Sequence, residues 1–141
     1  VQRGLVGEIT ARLERKGLKL VGLKMMQLTP EVLRDHYSHI TDKPFYPEVE
    51  SFMLANPVVV LCAEGKEAVA ATIQITGVTD AAKADAGTIR GDYALGMSNV
   101  IHRSDSVDSA KEEIARFFNE EDLFDYSKTD WMHVYLEEER G

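Results

Sequence analysis

Three short runs of aliphatic and β-branched residues, each set between stretches of helical period, constrain this chain most. They are "LKLVGLKMMQL" at 18–28, "PVVVLCAEG" at 57–65 and the brief "NVIH" at 99–102. The first alternates in part and the second is continuous, as in a strand buried on both faces. Between them the period lengthens. Leu5, Ile9 and Leu13 fall at i, i+4 and i+8, an amphipathic helix closed by Gly17. Pro30 opens "PEVLRDHYSH" at the position where its missing N–H is harmless. "YPEVESFMLAN", residues 66–75 and residues from about 106 to 118 complete the helical set, while 79–98 reads as a long irregular segment. Alternating helices and strands predict an α/β or α+β layer structure, with helices covering a sheet. Three strands are few for such a sheet.

The 141 residues suit one domain, 1–141. A formal net charge of −8 leaves no broad basic face for nucleic acid or an anionic membrane, so any phosphate must be met by a few placed cations. Cys62 is the only cysteine, which excludes an intrachain disulfide and a cysteine-based zinc site; it reads as a small buried hydrophobe. No apolar run is long enough to span a bilayer, and the cytoplasm is the expected compartment.

His102 stands where the third strand-like run meets Ser104, Asp105 and Ser106, a cluster of residues that cap helix N-termini. Such an end opposes positive charge on an imidazole and offers N–H groups to an arriving phosphoryl group. A neutral nucleophile beside an anion site is what phosphoryl transfer to histidine needs. Glu113 falls at the edge of the apolar face formed by Val107, Ala110, Ile114 and Phe117, where a carboxylate can reach back and hold one imidazole nitrogen. Arg90 lies between Gly87 and Gly91 in the long irregular segment, well placed for bidentate phosphate binding. His36, His39 and His133 read as ordinary surface or interface residues. No G-x-x-x-x-G-K-[ST] loop is present, which excludes a P-loop kinase.

The strings "VQRGLVGEI", "RKGLKLVGLKM", "HY", "KPFY", "PVVVL..EG", "GTIRGDY" and "N.IH.SDS...A..EI..FF" occur in order, and "DWMHVYLEE" closes the series. Together they resemble the nucleoside diphosphate kinase family over nearly the whole chain. The resemblance implies a ferredoxin-like βαββαβ fold with an antiparallel sheet under helices. It implies transfer of the γ-phosphate of a nucleoside triphosphate such as ATP to a nucleoside diphosphate, with Mg2+ required and a homo-oligomer, hexamer or tetramer, as the assembled form. His102 matches the phosphorylated histidine. Glu113, aided by Ser104, matches the group that fixes the imidazole tautomer, and Tyr37 matches an active-site tyrosine. Arg90, Thr79 and Asn99 match residues on the phosphates and ribose, and Phe45 matches the aromatic that stacks on the base. Asp105 matches a residue near the magnesium, acting through water.

Departures accompany the match. Ile73 occupies the position of a second phosphate-binding arginine, and Arg103 replaces a glycine after the histidine. Family members carry a strand ending in Lys-Pro-Asp-Gly just before the segment matching Val1, so the sequence is expected to be an amino-terminally truncated copy. These departures leave a non-catalytic assembly or regulatory module of the same family as the alternative reading, and a small-ligand-binding ferredoxin-like domain as a more distant one.

Overall fold

The computed structural model describes residues 1–96 and 100–140. Helix α1, Val6–Lys16, buries Ile9 and Leu13, the face its spacing predicts. Gly17 ends it at φ 104°, with Gly17 N–H on the Glu14 carbonyl at 2.9 Å and Leu18 N–H on the Leu13 carbonyl at 3.2 Å. That pair of bonds is a Schellman turn, which the left-handed residue makes possible. Strand β1, Lys19–Met26, follows directly and pairs antiparallel with β2, Val58–Glu64, from Lys19 opposite Glu64 to Met26 opposite Val58. The register slips once, between Leu20 and Gly22.

Between the strands lie α2, Pro30–His36, and α3, Tyr46–Leu54. Thr29 caps α2 by accepting from Val32 N–H at 3.3 Å, and Pro30 follows at the first helical position. Helix α4, Ala68–Thr76, leads into the irregular segment, which contains a 3-10 turn at Ala81–Lys83 and the short α5, Ile89–Tyr93. Helix α6, Val107–Phe117, starts at Ser106, whose hydroxyl accepts from Ser109 N–H at 3.1 Å. A 3-10 turn at Glu120–Asp122, the short α7 at Trp131–Val134 and a 3-10 turn at Glu137–Glu139 complete the order.

The mixed α/β layout with an antiparallel sheet agrees with the sequence expectation. Residues 100–102 are not assigned to a strand. Among the described residues the ladder consists of β1 and β2, and 100–102 are not part of it. The Ile101 carbonyl, which a third strand would offer to a neighbour, accepts from Arg90 Nη2 at 2.9 Å. Cys62 is buried as expected, and burial pushes its thiol up.

Residues 118–135 run back across the start of β1. Tyr126 donates its hydroxyl to the Leu20 carbonyl at 2.6 Å, Lys128 Nζ reaches the Leu18 carbonyl at 3.2 Å and Trp131 Nε1 the Gly17 carbonyl at 3.1 Å. Lys19, only 3% exposed, is satisfied by Glu64 at 3.3 Å, Asp125 at 3.4 Å and the Tyr126 carbonyl at 3.0 Å.

One close approach fixes the irregular segment. A Cβ on Gly91 would lie 2.0 Å from the Asp85 carbonyl oxygen and 2.9 Å from Thr88 Oγ1, the group that caps α5. Gly91→Ala is therefore expected to force backbone apart and cost about 1–3 kcal/mol, which lowers the melting temperature by roughly 3–12 °C. Gly7→Ala, where a Cβ meets nothing within 4 Å, is the control in the same thermal melt and should not destabilise.

Candidate active site

His102 lies in the irregular segment that enters α6, with its side chain 46% exposed. Its Nε2 is 2.6 Å from Glu113 Oε1. A carboxylate only accepts, so the shared proton belongs to Nε2 and the neutral ring keeps its lone pair on Nδ1. Glu113 projects from the inner side of α6 with its side chain 16% exposed. Its other oxygen accepts the Ser104 hydroxyl. Burial pushes the Glu113 carboxyl up, but the hydrogen bonds from Ser104 and His102, with the charges of His102 and His36, outweigh burial and hold it below its ordinary value. The carboxylate thus stays ionised and anchors the ring from one side.

Tyr37 stands edge-on to His102 with ring centroids 6.4 Å apart; burial and the nearby Glu113 charge push its hydroxyl up, so it remains a neutral donor. Arg90 is 4% exposed and donates Nη1 to the Gly77 carbonyl and Nη2 to the Ile101 carbonyl, both at 2.9 Å. Burial lowers its affinity for the proton, and the neighbouring Arg103 adds to that effect while Asp105 opposes it. Arg103 does not hang free beside the histidine: Nε reaches Thr76 Oγ1 at 3.2 Å and Nη1 holds the Asp105 carboxylate. Asp105 remains 82% exposed on its side chain.

The expected residues His102, Glu113, Ser104 and Tyr37 therefore converge, and Arg90 braces the carbonyl next to the histidine. Phe45 is 52% exposed at the start of α3, and Thr79 is exposed beyond α4. Among the described contacts neither touches the histidine cluster. Asn99 lies outside the described residues.

The sequence marks His36 as an ordinary surface or interface residue, and the structure corrects that, since its side chain is only 6% exposed. Its ring packs against His102 with centroids 4.6 Å apart at 81°, and against Tyr37 at 4.7 Å and Phe117 at 5.2 Å. Donor atoms of His36, His102 and Glu113 lie within 4.8 Å of one another. The Arg116 guanidinium, 3.0 Å from His36 Nδ1, opposes a second cation there, so the three form a hydrogen-bonded and stacked set rather than a metal centre. The only local signal was the adjacent "HY" pair at the end of α2.

Comparison with known proteins gives this geometry its class. Residues 1–123 match the family model described as nucleoside diphosphate kinase. A nucleoside diphosphate kinase of Parabacteroides distasonis is 43% identical over 140 residues, covering 99% of this chain and 92% of the relative. One from Carboxydothermus hydrogenoformans is 50% identical over 130 residues, covering 92% and 87%. Among solved structures, a halophilic nucleoside diphosphate kinase from Halobacterium salinarum, in complex with CDP, superposes with a TM-score of 0.90. It is 43% identical, and the match covers 96% of this chain and 91% of that one. Fold and comparison together define a phosphotransferase acting between nucleotides, with the ferredoxin-like architecture expected from the sequence. The chain belongs to the nucleoside diphosphate kinase family.

Proposed function

We propose that the chain transfers the γ-phosphate of ATP, or of another nucleoside triphosphate, to a nucleoside diphosphate through a phosphohistidine on His102. The observation that carries this reading is the 2.6 Å hydrogen bond from His102 Nε2 to Glu113, which leaves Nδ1 as the lone-pair nitrogen on a half-exposed ring.

In the first half-reaction the Nδ1 lone pair attacks the γ-phosphorus and the bond to the β,γ-bridging oxygen breaks. The electron pair leaves with the nucleoside diphosphate. The phosphorylated imidazole carries positive charge, which the Glu113 carboxylate offsets while retaining the Nε2 proton between them. In the second half-reaction a terminal oxygen of another diphosphate attacks phosphorus, and the Nδ1–P bond returns its pair to the ring. Ser104 holds Glu113 in place, and Tyr37 supplies a hydroxyl at the edge of the ring. Arg90, Thr79 and Asn99 are assigned to the phosphates and ribose, and Phe45 to stacking on the base, which ignores base identity. Mg2+ bound by the nucleotide would neutralise phosphate charge. Asp105, an exposed oxygen donor, fits a hard cation through water.

Residues 1–141 are read as one such domain. Apolar side chains left at the surface, among them Leu23, Met25, Phe52 and Phe124, support a homo-oligomer, hexamer or tetramer. No described helix is long and apolar enough to cross a membrane, and the composition supports a cytoplasmic enzyme. Incubation with γ-labelled ATP should leave an acid-labile, alkali-stable label on the protein, and initial rates should give the parallel double-reciprocal plots of a covalent shuttle. Intersecting plots with no labelled protein would overturn the reading.

A further inference from the structure

His36 Nδ1 faces two groups of opposite sign. Arg116 Nη1 lies 3.0 Å away and Glu113 Oε1 lies 3.7 Å away. A guanidinium has donors and no acceptor, and it does not lose its proton. The short contact therefore requires Nδ1 to accept, so the His36 proton sits on Nε2 and the ring is neutral. Arg116 is itself fixed, because its Nε donates to the Asp35 carboxylate on α2. The side chain of His36 is only 6% exposed, and Tyr37, His102 and Phe117 pack around its ring.

Glu113 Oε1 is the contested atom. It serves His102 Nε2 at 2.6 Å and stands within reach of His36 Nδ1. A proton on His36 Nδ1 would create a rival donor to the same oxygen and place an imidazolium edge-on to His102. We propose that the Asp35–Arg116 pair is a positioning device: by filling His36 Nδ1 it keeps that nitrogen unprotonated and reserves the Glu113 carboxylate for His102.

The charges around His36 agree with this arrangement. Burial and the charge of His102, with smaller contributions from Arg116 and His39, outweigh the opposing Glu113 carboxylate and bring His36 down to about 4. Asp35 acts on it only through Arg116, and Tyr37 beside it stays neutral. Above that value the ring cannot compete for Glu113.

The inference rests on His102 and Glu113 being the reacting pair, and the experiment separates the two. The rate of phosphoenzyme formation is measured from pH 5 to pH 8 for the parent, for Arg116→Leu and for Arg116→Leu with His36→Phe. Without Arg116, Nδ1 loses the donor that fills it and one of the charges that hold His36 down, so His36 rises. The ratio of rates at pH 8 and pH 5 should then exceed the parent ratio, through a single added ionisation. The second substitution should remove that acid limb. An unchanged ratio in Arg116→Leu, or a limb that survives loss of His36, would overturn the proposal. If the parent forms no phosphoenzyme at any pH, it is the underlying reading of His102 that has failed. Imidazole nitrogen shifts of the parent keep the proposal testable should the variants not fold. His36 should show a proton on Nε2 and none on Nδ1 at pH 7, with no titration above pH 5. A His36 titration near 6.5 in the parent would refute it.

Discussion

His102→Asn should abolish covalent labelling by γ-labelled ATP and lower phosphotransfer at least about a thousandfold. Loss of a covalent nucleophile removes the intermediate itself, and what remains is positioning by the other groups. Asparagine is chosen because it keeps a polar group at the position while Ser104 still donates to Glu113 Oε2, so the carboxylate is not left without a partner. That separates chemistry from stability, since the variant should melt close to the parent. A variant that still carries acid-labile phosphate at the parent level would move the nucleophile elsewhere in the molecule.

Glu113→Gln should have the next largest effect. The amide keeps the shape and accepts from one neighbour, but it cannot offset charge on a phosphorylated ring. Hydrogen bonds to charged groups contribute about 1.5–3 kcal/mol, so a loss of roughly 10–150-fold in kcat is expected. Stability carries a second signature. The Glu113 carboxyl is held below its ordinary value in the folded chain, so its contribution is fully present above the unfolded value of about 4.3. It is lost as pH falls through the lower folded value. In melts between pH 3 and pH 7 the parent should lose this part of its stability toward acid, and the Gln variant should lack that component. An equal acid dependence in both chains would show that Glu113 is not the anchored carboxylate described above.

Local signals made the helices legible. Gly17 ends α1, Pro30 opens α2 and Ser106 caps α6 because each acts on its own few residues. Glu113 was legible for a related reason: a carboxylate at the margin of an apolar helical face has only a narrow arc to point into. The segment at 100–102 was misread as a strand. β-branched residues fit a pleated surface, yet a strand also needs a neighbour to pair with, and Val100 does not specify one. Arg90 was read as a loop cation, whereas two backbone carbonyls allow the same guanidinium to be 4% exposed. His36 reads locally as a surface residue, and Arg116 carries no local signal at all. Their partners are each other, 80 positions apart in the chain, and no local period encodes such a meeting.

The carbonyls of Gly17, Leu18 and Leu20 have a bearing on biosynthesis. Each is satisfied by a side chain between Tyr126 and Trp131, at separations of 106 to 114 residues. A ribosome adding roughly 5–20 residues per second needs about 5–20 s to make that span. Through that interval the amino-terminal helix and first strand exist without the chain that will cover them, and Lys19 stays hydrated until Asp125 and Tyr126 emerge. The segment from α1 to β1 is thus a platform awaiting its roof. Ribosome-bound chaperones would meet it in that uncovered form.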